Sequence, residues 1–210
     1  MSGRFGSVVF DLGGVLIDWD PRYLYRSIFG SDEAAMEVFL ADVCTPAWNR
    51  QIDAGKPFAD AIAEKVALRP DQAERIRAFR LRWIETLGGS FEDVVALMRE
   101  LRRAGVPVYA LSNWSAETFG EARARFPFLA EFDGILISGE IGAAKPDAVI
   151  FRTFLARFGL EPSTTVFIDD TPANVTAARR VGLEAVLFEN AGQLRTELAA
   201  RGFPVGAQES

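Results

Sequence analysis

The chain has 210 residues, 49% of them apolar and 25% charged, with a net charge of −6. That length suits one domain, or one domain with an insertion, and the composition is that of a soluble protein with a sizeable core. The acidic balance excludes nonspecific partnership with nucleic acid or an anionic membrane, and with no membrane-length apolar run or leader peptide in view, a cytoplasmic protein is expected.

The first expected element is a strand, Ser7–Phe10, which ends at Asp11 with Gly13 and Gly14 close behind. The next strand, Val106–Leu111, comes much later than a single crossover helix requires. The helix entering it is supplied by Phe91–Ala104, with Ser90 as N-cap and Gly105 as terminator. Residues 19–89 are therefore surplus, and they read as helical. Phe58, Ile62 and Val66 mark one helix. Ile76, Phe79, Trp83 and Leu87 share a face of another, with Asp71 and Glu74 resembling a capping box. Three more strands follow: Gly134–Ile137, Thr165–Ile168 and Glu184–Phe188. Helical faces lie between and after them, at Ile150, Phe151, Phe154, Leu155 and Phe158, and at Leu194 and Leu198. A further helix is expected to start at Thr171-Pro172. The tail beyond Phe203 reads as loose.

Short apolar runs without alternation are the pattern of parallel strands buried on both faces. Alternated with helices, they imply an α/β fold. The expected fold is a Rossmann-like open parallel sheet of about five strands flanked by helices. Residues 1–18 and 90–210 form its core, and a helical cap, residues 19–89, is inserted after the first strand.

The chain contains no histidine, which excludes a Ser-His-Asp triad, a Cys-His pair and any His-ligated metal. A bound metal would be held by oxygen, which favours a hard cation such as magnesium. Its one cysteine, Cys44, has no intramolecular disulfide partner. Only three of the 23 basic residues are lysine, so each lysine asks for a reason.

Open parallel sheets bind ligands outside the carboxyl ends of their strands. There this chain offers Asp11, then Ser112-Asn113, then a loop reaching Lys145, then Asp169-Asp170. Taken singly, each is ordinary turn, cap or loop chemistry. Taken together, they suit one reaction. Three crowded carboxylates need compensation, and a divalent cation with Lys145 supplies three positive charges against three negative. Such a site accepts a phosphoryl group. Asp11 would be the nucleophile, forming an aspartyl-phosphate that water hydrolyses. Lys145, the Ser112 hydroxyl and the Asn113 backbone N–H would bind phosphoryl oxygens. The glycines would let backbone come close to metal and phosphate.

The ordered set "FDLGGVLID", "LSNW", "AAKPD" and "FIDDTPANV" resembles the four motifs of the haloacid dehalogenase superfamily. The resemblance spans essentially the whole chain, and the insert resembles that family's small helical cap. It implies that Asp11 is both nucleophile and metal ligand, with the Gly13 backbone carbonyl and Asp170 also on the metal. It further implies that Ser112 and Lys145 hold the phosphoryl group, while Asp169 and Asn174 stand behind the ligands. Mg2+ is the implied cofactor.

The superfamily includes metal-free dehalogenases as well as phosphatases. The paired acids Asp169-Asp170, generally absent from those dehalogenases, point to a magnesium-dependent phosphatase of small phosphorylated metabolites, a sugar phosphate or similar. A receiver domain has comparable groups, but its acid pair comes early and its lysine last, which is the reverse of the order here. Family phosphatases carry a second Asp two residues after the nucleophile, and this chain has Gly13 there. Three readings follow. Asp18 or Asp53 substitutes for the missing acid; or the substrate has a good leaving group; or turnover is lost and the protein binds phosphorylated ligands or a partner. Trp48, beside Asn49 and Arg50, either helps choose the substrate or is core of the insert. Nothing in the sequence sets an oligomeric state.

Overall fold

The structure is a computed structural model and describes residues 6–206. The chain opens with β1 (Ser7–Phe10), and a short strand β2 (Ile17–Trp19) follows. Five helices come next: α1 (Pro21–Phe29), α2 (Glu33–Asp42), α3 (Pro46–Asp53), α4 (Phe58–Leu68) and α5 (Ala73–Leu81). β3 (Leu87–Ser90) then pairs antiparallel with β2, so one two-stranded ribbon holds both ends of the helical segment. The remainder alternates: α6 (Glu92–Arg103), β4 (Val108–Ser112), α7 (Ala116–Arg125), β5 (Gly134–Ile137), α8 (Ala148–Phe158), β6 (Thr165–Asp169), α9 (Pro172–Arg180), β7 (Glu184–Leu187) and α10 (Ala191–Ala200).

Five strands form one parallel sheet in the order β5-β4-β1-β6-β7. The fold is the expected α/β, Rossmann-like arrangement. β1 is central because its side chains are apolar toward both faces. Val8 and Phe10 pack with Val94, Val95 and Met98 of α6 and Leu194 of α10. Val9 points the other way, among Ile150 and Phe154 of α8 and Ala178 of α9. Central placement puts the end of β1 between the ends of β4 and β6, and that position gathers the site.

Some expectations need correction. The helix read through Leu87 ends at Leu81; Trp83–Thr86 is a tight 3-10 turn and Leu87 begins β3. Trp83 and Leu87 are buried as a helix would bury them, but Leu87 pairs with Trp19 in the ribbon. The capping box also fails to form. Asp71 sits in a 3-10 turn before α5, where its carboxylate accepts from the side chains of Arg69 and Gln72. Ser90 is the last residue of β3, and Phe91 takes the N-cap position of α6. The stretch after Phe203 is tied down as far as described, since Gly206 accepts from Arg195 and donates to Glu100. Residues 207–210 of that tail, and 1–5 of the expected core, lie outside the described residues. Among the described residues, no helix is long and apolar enough to cross a membrane.

Candidate active site

Asp11 leaves β1 with its N–H donating to the Ile168 carbonyl of β6 at 2.8 Å, which continues the sheet by one residue. Its carboxylate is almost enclosed. Oδ1 accepts from the Leu12 N–H and from the Ser112 hydroxyl, each at 2.7 Å, and Oδ2 accepts from Lys145 Nζ at 2.8 Å. Lys145 is only 1% exposed, which is rare for lysine unless every proton is paired. Its ammonium has three donors, and all three are used: Asp11 Oδ2, Asp169 Oδ2 at 2.7 Å and the Leu111 carbonyl at 3.0 Å. A loop lysine by sequence is thus a buried cation between two carboxylates.

Asn113 has a part that its motif did not reveal. Its side-chain amide donates to the Lys145 carbonyl at 3.0 Å and accepts from the Lys145 N–H at 2.8 Å. This reciprocal pair pins the loop that carries Lys145 to the end of β4. Asp169 is fully buried and bonded on both oxygens, to Lys145, to the Thr171 N–H at 2.8 Å and to Asn174 Nδ2 at 3.0 and 3.1 Å. Asp170, next in sequence, turns outward and accepts from the Thr171 hydroxyl at 3.2 Å.

The two glycines do different work. A Cβ on Gly14 would come 2.2 Å from Asp170 Oδ2, and Gly14 has φ +75°, so both backbone and space demand glycine there. Gly13 has nothing within 4 Å of where its Cβ would stand. The missing acid at Gly13 is therefore not forced by a clash at Cβ.

Asp11, Asp169 and Asp170 each offer an oxygen, and these oxygens lie within 4.8 Å of one another. An all-oxygen set of this kind fits a hard divalent cation. The electrostatics point the same way. Burial pushes the Asp11 carboxyl up to about 7, with Lys145 pulling it down and Asp169 pushing it up. Asp170 is raised by burial and by Asp169. For Lys145, burial disfavours the charge, but Asp11 and Asp169 outweigh it and hold the ammonium above its usual value.

A cavity of about 540 Å³ opens over these groups, between the strand ends and helices α2, α3 and α5. Asp11, Gly13, Ser112, Asn113, Lys145, Asp170 and Asn174 line its floor, and Asp53, from α3, lines its wall. Asp53 ends α3, is half-buried and accepts from Asn49 Nδ2 at 2.9 Å. Burial, then the charge of Asp11, raise its carboxyl to about 7, against the opposing pull of Arg50. Asp18 is not in this lining. In β2 it turns toward Gly88 and accepts from the Tyr23 hydroxyl at 2.6 Å, so the structure does not support it as a substitute acid. Trp48 is also absent from the lining, so of its two readings the structure matches core of the insert and not substrate choice. It is buried against Phe79, with its Nε1 donating to the Ala61 carbonyl at 3.2 Å.

Ser138 escaped the sequence reading. It is fully buried after β5, donates to the Asp53 carbonyl and accepts from the Trp114 N–H at 2.9 Å. One hydroxyl thus joins the end of α3 to the strand-end loop. The signal was present: Ser138 ends an apolar strand much as Ser112 does.

Residues 6–182 match the family of haloacid dehalogenase-like hydrolases. A sesquiterpene phosphatase from Aspergillus oryzae is 29% identical over 189 residues, 87% of this chain and 89% of that protein. A HAD-like hydrolase from Porphyromonas gingivalis superposes with a TM-score of 0.71 at 22% identity, over 94% of this chain and 97% of that one. A HAD family enzyme from Bacteroides thetaiotaomicron, solved with magnesium and inorganic phosphate, gives 0.66 at 23% identity, over 89% and 95%. The two structures share the fold. The chain belongs to the haloacid dehalogenase-like hydrolases, as a phosphatase-like member.

Proposed function

We propose that this protein is a magnesium-dependent phosphatase of small phosphorylated metabolites that works through an aspartyl-phosphate on Asp11. The observation that carries the reading is the buried Lys145 held between Asp11 and Asp169, beside a third carboxylate, Asp170. The phosphatase name of the Aspergillus relative and the magnesium and phosphate in the Bacteroides structure support it.

Asp11, Asp170 and the Gly13 carbonyl would hold the cation. When bound, it supplies two positive charges toward the phosphoryl oxygens. An Asp11 oxygen attacks phosphorus and the bond to the leaving oxygen breaks. That oxygen takes its proton from Asp53, the one further acid on the cavity wall with a carboxyl raised to about 7. Water then attacks the phosphorus of the aspartyl-phosphate and gives its proton to Asp53. The Asp11–phosphorus bond breaks, and phosphate leaves with both carboxyl groups restored. Once Asp11 is esterified its charge is gone, and the Lys145 and Ser112 donors that it held turn to phosphoryl oxygens. Asp169 and Asn174 hold Lys145 and the start of α9 in place. The helical segment, residues 19–89, acts as a cap that keeps water out and brings Asp53 over the floor.

Gly13 favours a second reading, a ligand-binding protein with lost turnover. One assay separates them: inorganic phosphate release from a panel of phosphomonoesters, with magnesium or with chelator, beside Asp11→Asn. Release that needs magnesium and vanishes in the variant is expected. Silence of the folded wild type overturns the enzyme reading, and halide release from haloacids in chelator replaces it with a dehalogenase.

A further inference from the structure

The cavity is divided by chemistry. Its floor is charged, as described. Its walls, where a leaving group would lie, present Trp19, Leu40, Cys44, Phe79, Trp83 and Trp114. Most polar side chains among these walls are already engaged. The Thr45 hydroxyl accepts from the Trp48 N–H at 3.1 Å, capping α3. Asn49 is held by Asp53. The Thr118 hydroxyl reaches the Ser115 carbonyl at 3.4 Å. Arg22 is paired with both oxygens of Glu37, at 2.6 and 2.8 Å. Arg50 is the exception, a guanidinium exposed to solvent. One buried donor in the wall has no partner, Nε1 of Trp114.

We propose that the leaving group accepted here is a bulky apolar alcohol, isoprenoid or aromatic, and not a polyol. This rests on the phosphatase reading above and narrows it. A sugar would set several hydroxyls against indole and phenyl rings, with one buried N–H, on Trp114, and the exposed Arg50 to meet them. Each hydroxyl buried without a partner costs roughly tenfold or more in affinity. An alcohol with a single oxygen needs a single donor, while each buried methylene adds about fourfold. Size agrees. At about 30 Å³ for each water-sized group, the cavity of about 540 Å³ holds roughly 18 such groups. The phosphoryl group takes a few of these, leaving room for an alcohol of roughly ten carbons.

The test compares kcat/KM for geranyl phosphate and 2-phenylethyl phosphate, alkyl esters like those of sugars, with that for fructose 1-phosphate and ribose 5-phosphate, all with magnesium. A preference of at least ~100-fold for the apolar esters is expected, from two or more unpaired hydroxyls. Sugar phosphates turned over equally well or better overturn the inference while leaving the phosphatase reading standing. If no ester is hydrolysed, that reading fails, and a binding titration decides the inference alone. Geraniol or 1-naphthol, added with inorganic phosphate, should quench tryptophan fluorescence where fructose does not; equal or absent responses overturn it. Ala41→Asp puts a charge on an exposed stretch of the same wall, where folding is not at stake. It should raise KM for geranyl phosphate about tenfold or more, and an unchanged KM contradicts the apolar path.

Discussion

Gly13 and Asp53 are best understood as a pair. A Cβ at Gly13 would meet nothing, yet the chain places its spare protonatable carboxyl elsewhere on the cavity wall, at the end of α3. The pH dependence follows from the sign of that shift. Burial and the charge of Asp11 raise Asp53 to about 7, so it carries a proton below that value and loses it above. A group that must donate a proton to a poor leaving group is therefore competent below about 7. For alkyl phosphates kcat/KM should fall as pH rises through about 7, while aryl phosphates, whose oxygen leaves unaided, should show no such limb. Asp53→Asn should slow alkyl esters by ~100-fold or more and abolish the limb. Adding Gly13→Asp to that variant should restore part of the rate. Alkyl turnover with an unchanged pH profile in Asp53→Asn would remove Asp53 from the chemistry.

Among the elements, α3 matters most, because it carries the acid and is anchored by a residue far away in sequence. Thr45 caps its start, Pro46 opens its first turn, and its last carbonyl, on Asp53, is held by Ser138 after β5. Ser138 also takes the Trp114 N–H, so floor loop and helix share one buried hydroxyl. Ser138→Ala leaves the Trp114 N–H and the Asp53 carbonyl without that partner. It should cost about 1–3 kcal/mol of stability in urea denaturation. It should also lower kcat for alkyl phosphates more than for aryl phosphates, because it loosens the acid and not the nucleophile. Equal losses on both would mean that Ser138 serves packing only.

At the scale of the whole molecule, the sheet was readable because its strands are buried on both faces and so appear as uninterrupted apolar runs. Four polar strand ends were readable because the topology of a parallel sheet sends them all to one edge. What could not be read has physical causes. Trp83 and Leu87 keep a helical spacing inside a turn and a strand, since burial and not helicity set their spacing. Asp18 and Asp53 were equivalent as spare acids until the β2–β3 ribbon turned one away and α3 carried the other over the floor. Trp48 gave no sign of whether its indole faced substrate or core; the Ala61 carbonyl took its N–H. Ser138 depends on three segments that meet only in the folded chain. The account as a whole turns on Asp11 carrying the phosphoryl group. The direct measurement is acid quenching during magnesium-supported turnover of a phosphorus-labelled ester, followed by mapping the label to a residue. Label on Asp11, absent with chelator and with Asp11→Asn, is the expected result. Label on another residue, or phosphate release that survives Asp11→Asn, would contradict the account.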